Sequence, residues 1–233
     1  MTTKAFTFDM RTLMRDPILM MFMIVPLLVL VVAKLFLIFA EPILYEMTGF
    51  VLSQYYGYLL AVVLTFSPYI LGTVTAFLMI DERDESIYEL MSVMPIGYVG
   101  YITNRLLIPF GLSIIYTVLS YTILNIFRLS FMQVTMIALL SGVQGVVVAL
   151  IMFSLADNKV QGLTYSKALN IFVFASVADL LSLKWVSIIS AFIPFYWTSQ
   201  IVINPASFIV IGKALVVHIV WLYLGARLVR ARR

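Results

Sequence analysis

Five polar residues stand inside otherwise apolar stretches, and their chemistry needs a reason. Lys34, Asp179 and Lys213 carry charge, and Gln144 and His218 carry hydrogen-bonding groups. A charged group at the centre of a bilayer costs at least about 2.5–3.5 kcal/mol, so each requires a partner, water or a route to the interface. Two arrangements satisfy that requirement. Asp179 can neutralise Lys34, Lys213 or the nearby Lys184 as a structural pair, or Lys34, Gln144, Asp179 and Lys213 can line the polar outer half of a translocation pathway. Lys34 and Lys213 fall towards the outer ends of their stretches, where a long side chain can snorkel to the headgroups. Gln144 lies in Ser141-Gly142-Val143-Gln144-Gly145 near Ala138 and Ala149, a run of small residues that favours close helix packing over substrate contact. His218 is expected to make a polar contact between helices rather than to relay protons.

The same inventory excludes several chemistries. The chain has no cysteine, which removes disulfides, thiolate metal sites and cysteine nucleophiles. A single histidine removes the paired-histidine motifs of zinc peptidases. An intramembrane protease or lipid transferase needs clustered His, Asp or Glu, and one histidine with one intramembrane carboxylate does not supply it. No metal site and no catalytic residue is expected. The sequence contains no G-x-x-x-x-G-K-S/T phosphate loop, so this chain is expected to bind no nucleotide cofactor itself.

What must position these residues is a set of membrane helices. The chain of 233 residues is 63% hydrophobic and 11% charged, with a mean hydropathy of +1.08. Soluble domains carry about 25% charged residues. So few charges suit a protein whose solvent is lipid. A span needs about 20 apolar residues. Clear candidates run from Pro17 to Ala40, Gly57 to Ile80, Leu106 to Phe127, Phe131 to Ala156 and Ser207 to Leu228. The stretch from Ala168 to Ile203 is too long for one helix and is interrupted by Asp179, Lys184 and Pro194. It is read as a span from Ala168 to about Leu183, or as far as Ile189. An extracellular or interfacial return over 184–206 follows, rich in aromatics at Phe192, Phe195, Tyr196 and Trp197. The fold class is an all-α integral membrane protein, one transmembrane domain over 1–233 with six spans. The first apolar run is too long for a signal-peptide core, and no cleavable signal is expected.

Charge sets the orientation. With a cytoplasmic N-terminus, the inner segments hold Lys4, Arg11, Arg15, Arg83, Arg105, Lys159, Lys167, Arg227, Arg230, Arg232 and Arg233, eleven of the fifteen basic residues, against Arg128 and Lys184 outside. This is the positive-inside pattern of a multi-pass protein of the cell membrane with both termini cytoplasmic. The net charge of +4 serves membrane orientation, and no nucleic acid partner is expected.

Two cytoplasmic devices remain. In residues 1–16, Phe6, Met10, Leu13 and Met14 recur at helical spacing, with Lys4, Arg11 and Arg15 on another face. This is an amphipathic helix in the inner interface, either a simple anchor or an elbow that braces the bundle. In the loop over 81–104, Ser86 and Glu89 fit a capping box, and Asp84 and Glu85 suit the positive end of a helix. Ile87, Leu90, Met91 and Met94 then form an apolar stripe that Pro95 and Gly97 stop. Anionic inner-leaflet lipids would repel the cluster Asp81, Glu82, Asp84, Glu85 and Glu89, so a groove on a protein partner suits this helix better than lipid.

On these pieces the chain resembles the permease family of type-2 ABC exporters, six-span half-transporters. The matching segments are the helix ending Arg15-Asp16-Pro17, then Asp84-Glu85-Ser86-Ile87-Tyr88-Glu89-Leu90 with Met94-Pro95-Ile96. Asp157-Asn158-Lys159-Val160-Gln161-Gly162-Leu163 followed by Lys167, and the patch Ile193-Pro194-Phe195-Tyr196-Trp197, complete the match. Ser86 departs from it, standing where glycine is common. The resemblance implies that Glu85, Ile87, Glu89, Leu90, Met91 and Met94 form a coupling helix docking on a separate ABC ATPase, present in two copies and using ATP and Mg. It also implies a second permease subunit, identical or homologous, packed about a two-fold axis. The function expected is an exporter permease working by alternating access on an amphipathic substrate: a drug, a lipid-like molecule or an antimicrobial peptide. The alternative is an ATP-independent carrier or a bacteriocin-immunity scaffold.

Overall fold

The computed structural model describes residues 17–86, 97–204 and 207–231. All regular structure in these residues is helical. Helix α1 (Pro17–Leu35) passes through a π-helical turn, Phe36–Ala40, into α2 (Glu41–Thr48), where Gly49 at φ 69° stops it. A 3-10 turn, Leu52–Tyr55, leads into α3 (Tyr56–Asp84). Then come α4 (Gly97–Leu124), α5 (Phe131–Leu155), α6 (Lys159–Leu169), α7 (Ile171–Phe174) and a 3-10 segment, Ala175–Leu181. Short helices α8 (Lys184–Ser190) and α9 (Tyr196–Ile203) precede the long α10 (Phe208–Ala231).

Among the described residues, five helical stretches are long and apolar enough to cross a membrane: Ile24–Thr48, Leu52–Asp84, Gly97–Leu124, Phe131–Leu155 and Phe208–Ala231. The chain is a multi-pass membrane protein. These five correspond to the five clear candidates of the sequence, with shifted ends. The α3–α4 loop is shorter than 81–104, because α3 continues to Asp84 and α4 already starts at Gly97. The sequence reading over Ala168–Leu183 meets α7 and the 3-10 segment instead of one long helix, with a break at Asn170 after α6. The N-terminal amphipathic helix (Phe6, Met10, Leu13, Met14) and the loop helix residues Ile87, Glu89, Leu90, Met91 and Met94 lie outside the described residues.

The core is a central pair, α3 and α5. Of their apolar windows 78% is buried, against 11% for the first stretch, 28% for α4 and 22% for α10. Lipid supplies no hydrophobic drive between helices, so close backbone packing must hold the pair. The sequence provides for it at Gly72 and Gly145. A Cβ at Gly72 would strike the Gly145 carbonyl oxygen and come within 2.8 Å of Val148 Cβ. On the flank of α5, Phe110 of α4 sits over Gly142, and Leu150 of α5 meets Gly225 of α10.

The contacts fix the relative directions. Gln144 meets His218 and Leu150 meets Gly225, so α5 and α10 run parallel. Gly72 meets Gly145, and Arg83 reaches the carbonyls of Phe153 and Ala156, so α3 runs parallel to both. Helix α4 runs the other way: Tyr98 at its start bonds the Val229 carbonyl near the end of α10, and Leu124 at its end accepts from Lys34 of α1. The α6–3-10 segment runs antiparallel along α3. Lys159 pairs with Asp81, Gly162 lies against Phe77 and Ile80, the Tyr69 hydroxyl bonds the Ser166 carbonyl, and Ala175 and Ala178 pack with Leu60 and Leu64.

A Gly72→Ala substitution should cost about 1–3 kcal/mol, the usual range for overpacking. Gly212→Ala, where the added methyl meets nothing within 4 Å, should be neutral or stabilising. Thermal denaturation of the two variants in detergent, followed by static light scattering, separates them.

Candidate functional site

Three polar clusters mark three levels of the bundle. The first lies at the end that carries the α3–α4 loop. Glu82 is buried on α3 and receives Arg105 of α4 as a two-pronged ion pair, Nε to Oε2 at 2.9 Å and Nη2 to Oε1. The Tyr101 hydroxyl, one turn before Arg105, donates to the same carboxylate, and the guanidinium lies 5.7 Å from the Tyr101 ring centre. An ionised carboxylate in an apolar interior is tolerable only when paired and hydrogen-bonded in this way. Asp81 pairs with Lys159 at 2.8 Å, and Arg83 donates to the Ala156 carbonyl at 2.6 Å while its guanidinium lies over the Phe153 ring. Arg83 thereby satisfies carbonyls left open at the end of α5.

The acidic cluster read from the sequence as one surface is therefore divided. Glu82 is buried and paired inside the bundle, Asp81 pairs with the exposed Lys159 at its edge, and Asp84 and Glu85 are exposed at the rim. The reason is position: Glu82 sits on the buried face of α3, where hydrocarbon demands a partner. Ser86 ends α3 at φ 58°, a left-handed conformation that favours glycine, which accounts for the glycine common in the resembling family at this place. The following Asp157–Leu163 stretch is the start of α6. The Asn158 side chain accepts from the Gln161 backbone N–H at 3.0 Å, and the Gln161 side chain accepts from the Asp157 N–H at 2.9 Å.

The middle level holds Gln144 of α5. Its Nε2 donates to Thr198 Oγ1 at 3.0 Å and lies 3.1 Å from His218 Nε2. His218 Nδ1 is 2.7 Å from the Ala214 carbonyl, which can only accept, so the proton is on Nδ1 and Nε2 accepts from Gln144. Gln144 thus joins α5, α9 and α10 through its buried amide nitrogen, while its carbonyl oxygen has no partner among the described residues. The third level lies among the 3-10 segment, α8 and α9. Asp179 accepts from Ser187 Oγ at 2.5 Å, Gln200 Nε2 at 2.6 Å and the Tyr196 hydroxyl at 3.2 Å. Its partners are uncharged donors and not the lysines that the sequence offered, because the return folds α8 and α9 back over it. Lys34 donates to the Leu124 carbonyl at 3.1 Å at the end of α4, and Lys213 is exposed on α10. Among the described residues no hydrogen bond or ion pair joins any two of Lys34, Gln144, Asp179 and Lys213. Between the 3-10 segment and α8 lies an apolar groove of about 560 Å³, lined by Phe174, Leu181, Trp185 and Ile189 among others.

Sequence reasoning missed the Glu82–Tyr101–Arg105 cluster. Its signal was there: two opposite charges flank one loop, Glu82 in the last turn of α3 and Arg105 just over two turns into α4. The hydrogen-bond cluster around Asp179 was missed as well.

These placements separate a hydrogen-bonding role for Asp179 from an ion-pair role. Asp179→Leu should cost about 1–3 kcal/mol by orphaning its donors. Lys184→Gln and Lys213→Gln should each change stability by less than about 0.5 kcal/mol, the usual range for surface substitutions. Thermal unfolding of the three variants checks both expectations.

Comparison with known proteins adds what the geometry alone does not name. Two curated proteins of Mycobacterium tuberculosis are similar: the fluoroquinolones export permease protein MT2760 of strain CDC 1551 / Oshkosh and the fluoroquinolones export permease protein Rv2686c of strain ATCC 25618 / H37Rv. Each is 29% identical over 197 residues, covering 82% of this chain and 77% of the relative. No solved structure matches. Residues 9–226 match the family described as fluoroquinolones export permease protein Rv2686c-like. With helices of membrane length along the same residues, the chain belongs to this Rv2686c-like family of export permeases.

Proposed function

We propose that this chain is the membrane half of an ATP-driven drug exporter, and that it works with a separate ABC ATPase docked on the α3–α4 loop. The observation that carries the reading is the loop end of the bundle. Asp84 and Glu85 are exposed at the end of α3, while the side chains just inside them are tied into the bundle through Arg105, Lys159 and the end of α5. A loop on such stems offers a partner an acidic rim on a rigid base. ATP and Mg chemistry belongs to the partner in this reading, which the lack of a phosphate loop in the sequence supports.

The topology we propose has six crossings with both termini cytoplasmic. Its support is the parallel course of α5 and α10. Two neighbouring helices that cross in the same direction require the chain between them to cross back, and the α6–3-10 segment packs antiparallel along α3. The basic residues Arg83, Arg105, Lys159, Arg227 and Arg230 gather at the loop end, as the positive-inside pattern asks of a cytoplasmic face. Alternating access would need two such chains, identical or homologous, and two ATPase copies. The large exposed apolar faces of α1, α4 and α10 leave room for a second permease as well as for lipid.

For substrate, the names of the relatives make fluoroquinolones the first compounds to test. They are aromatic and amphipathic, within the drug class expected for a chain with so few intramembrane charges. The first test is co-expression with an ABC ATPase encoded beside the chain, purification by a tag on the permease, and ATP turnover. The expected result is a stable complex whose ATP turnover rises with a fluoroquinolone. Glu85→Lys or Leu90→Asp should reduce ATPase capture at least tenfold. Equal capture by both variants would exclude this loop as the docking element.

A further inference from the structure

We propose that Glu82, Tyr101 and Arg105 act as a latch that makes the two stems of the α3–α4 loop move as one body, and that the latch is the positioning element through which a push on the loop reaches the core. The first half rests on geometry alone, and the second rests on the exporter reading above.

The stems differ in how they are held. Helix α3 is half of the central pair and is buried along most of its length. Helix α4 is peripheral and carries Pro109. Proline has no backbone N–H, so the Arg105 carbonyl loses its usual partner four residues on, and the helix is weakened where Arg105 sits. Beyond Pro109, α4 is fixed to α5 by Phe110 over Gly142 and by Pro109 and Ser113 against Gly145. Before it, Gly97–Arg105 is a lever of little more than two turns between the loop and a weak point.

Side chains clamp that lever. The Glu82–Arg105 pair and the Tyr101 hydroxyl bind it to α3, and the Tyr98 hydroxyl adds a longer bond, 3.4 Å, to the Val229 carbonyl of α10. Tyr101, Glu82 and Arg105 are 4%, 7% and 7% exposed. Water is therefore excluded from the pair, and an ion pair with two parallel hydrogen bonds is directional as well as strong. With the latch closed, force on the loop is delivered to α3 and through it to α5. With the latch open, the same force is spent bending α4 at Pro109.

The chain contains no cysteine, so two introduced cysteines report on the stems without background. Asp84→Cys and Val99→Cys are exposed on opposite stems, Val99 at 65%. Spin labels there, in the chain alone in nanodiscs, should give one narrow distance distribution. Glu82→Gln and Tyr101→Phe should each broaden it, and Glu82→Leu with Arg105→Met should do so while keeping a well-packed protein, since apolar replacement of a buried pair is often tolerated. Distributions equal to the parent in the Glu82→Gln and double variants overturn the latch. In the reconstituted permease–ATPase complex, both variants should retain ATPase capture but move at least tenfold less fluoroquinolone per ATP. Unchanged transport per ATP with broadened distances overturns the coupling role. Broadened distances in a chain that captures no ATPase keep the latch and overturn the exporter reading.

Discussion

The close approach of α3 and α5 at Gly72 and Gly145 is the constraint on which the rest of the bundle depends. In lipid the attraction between helices comes from backbone proximity and hydrogen bonds rather than from escape of apolar surface from water. At this crossing there is no room for a Cβ on α3. Once the pair is set, the other elements take their positions from it: α4 through Phe110 on Gly142, α10 through Gly225 on Leu150, and α6 through Gly162 against Phe77. Helices α1, α4 and α10 then face outward with large apolar side chains exposed, which suits lipid and a neighbouring subunit alike.

The polar groups obey a second constraint. Hydrocarbon offers no hydrogen bonds, so each buried polar group must find a partner within the protein. Glu82 finds Arg105 and Tyr101, Gln144 finds Thr198 and His218, and Asp179 finds Ser187, Tyr196 and Gln200. Asp179 is thus satisfied by three donors and the Gln144 amide nitrogen by Thr198 and His218, while the Gln144 carbonyl oxygen has no partner among the described residues.

How much of this could be read from the sequence follows from the same physics. Length and hydropathy act residue by residue, so the five long helices were visible. The segment after α5 was harder because it is built from α6, α7 and a 3-10 segment instead of one long helix, with Asn170 and Asp179 interrupting the apolar run. Its course along α3 shows only in contacts, such as Lys159 with Asp81 and Ser166 with Tyr69. The Glu82–Arg105 pair was hidden for a similar reason. Periodicity assigns a charge near a helix end to solvent, whereas burial depends on which face a neighbouring helix covers. For Asp179 the sequence offers lysine partners or a polar pathway because charge is easy to see there, while the fold of α8 and α9 that brings it hydroxyl and amide donors is not.

The central claim is that ATP, consumed by a partner, drives a drug through this chain. Inside-out membrane vesicles carrying the permease with its ATPase test it most directly, by accumulation of a radiolabelled fluoroquinolone with ATP supplied and the proton gradient collapsed. The account predicts ATP-dependent accumulation that is lost when either chain is omitted. Accumulation that persists without the ATPase and follows the proton gradient would contradict it.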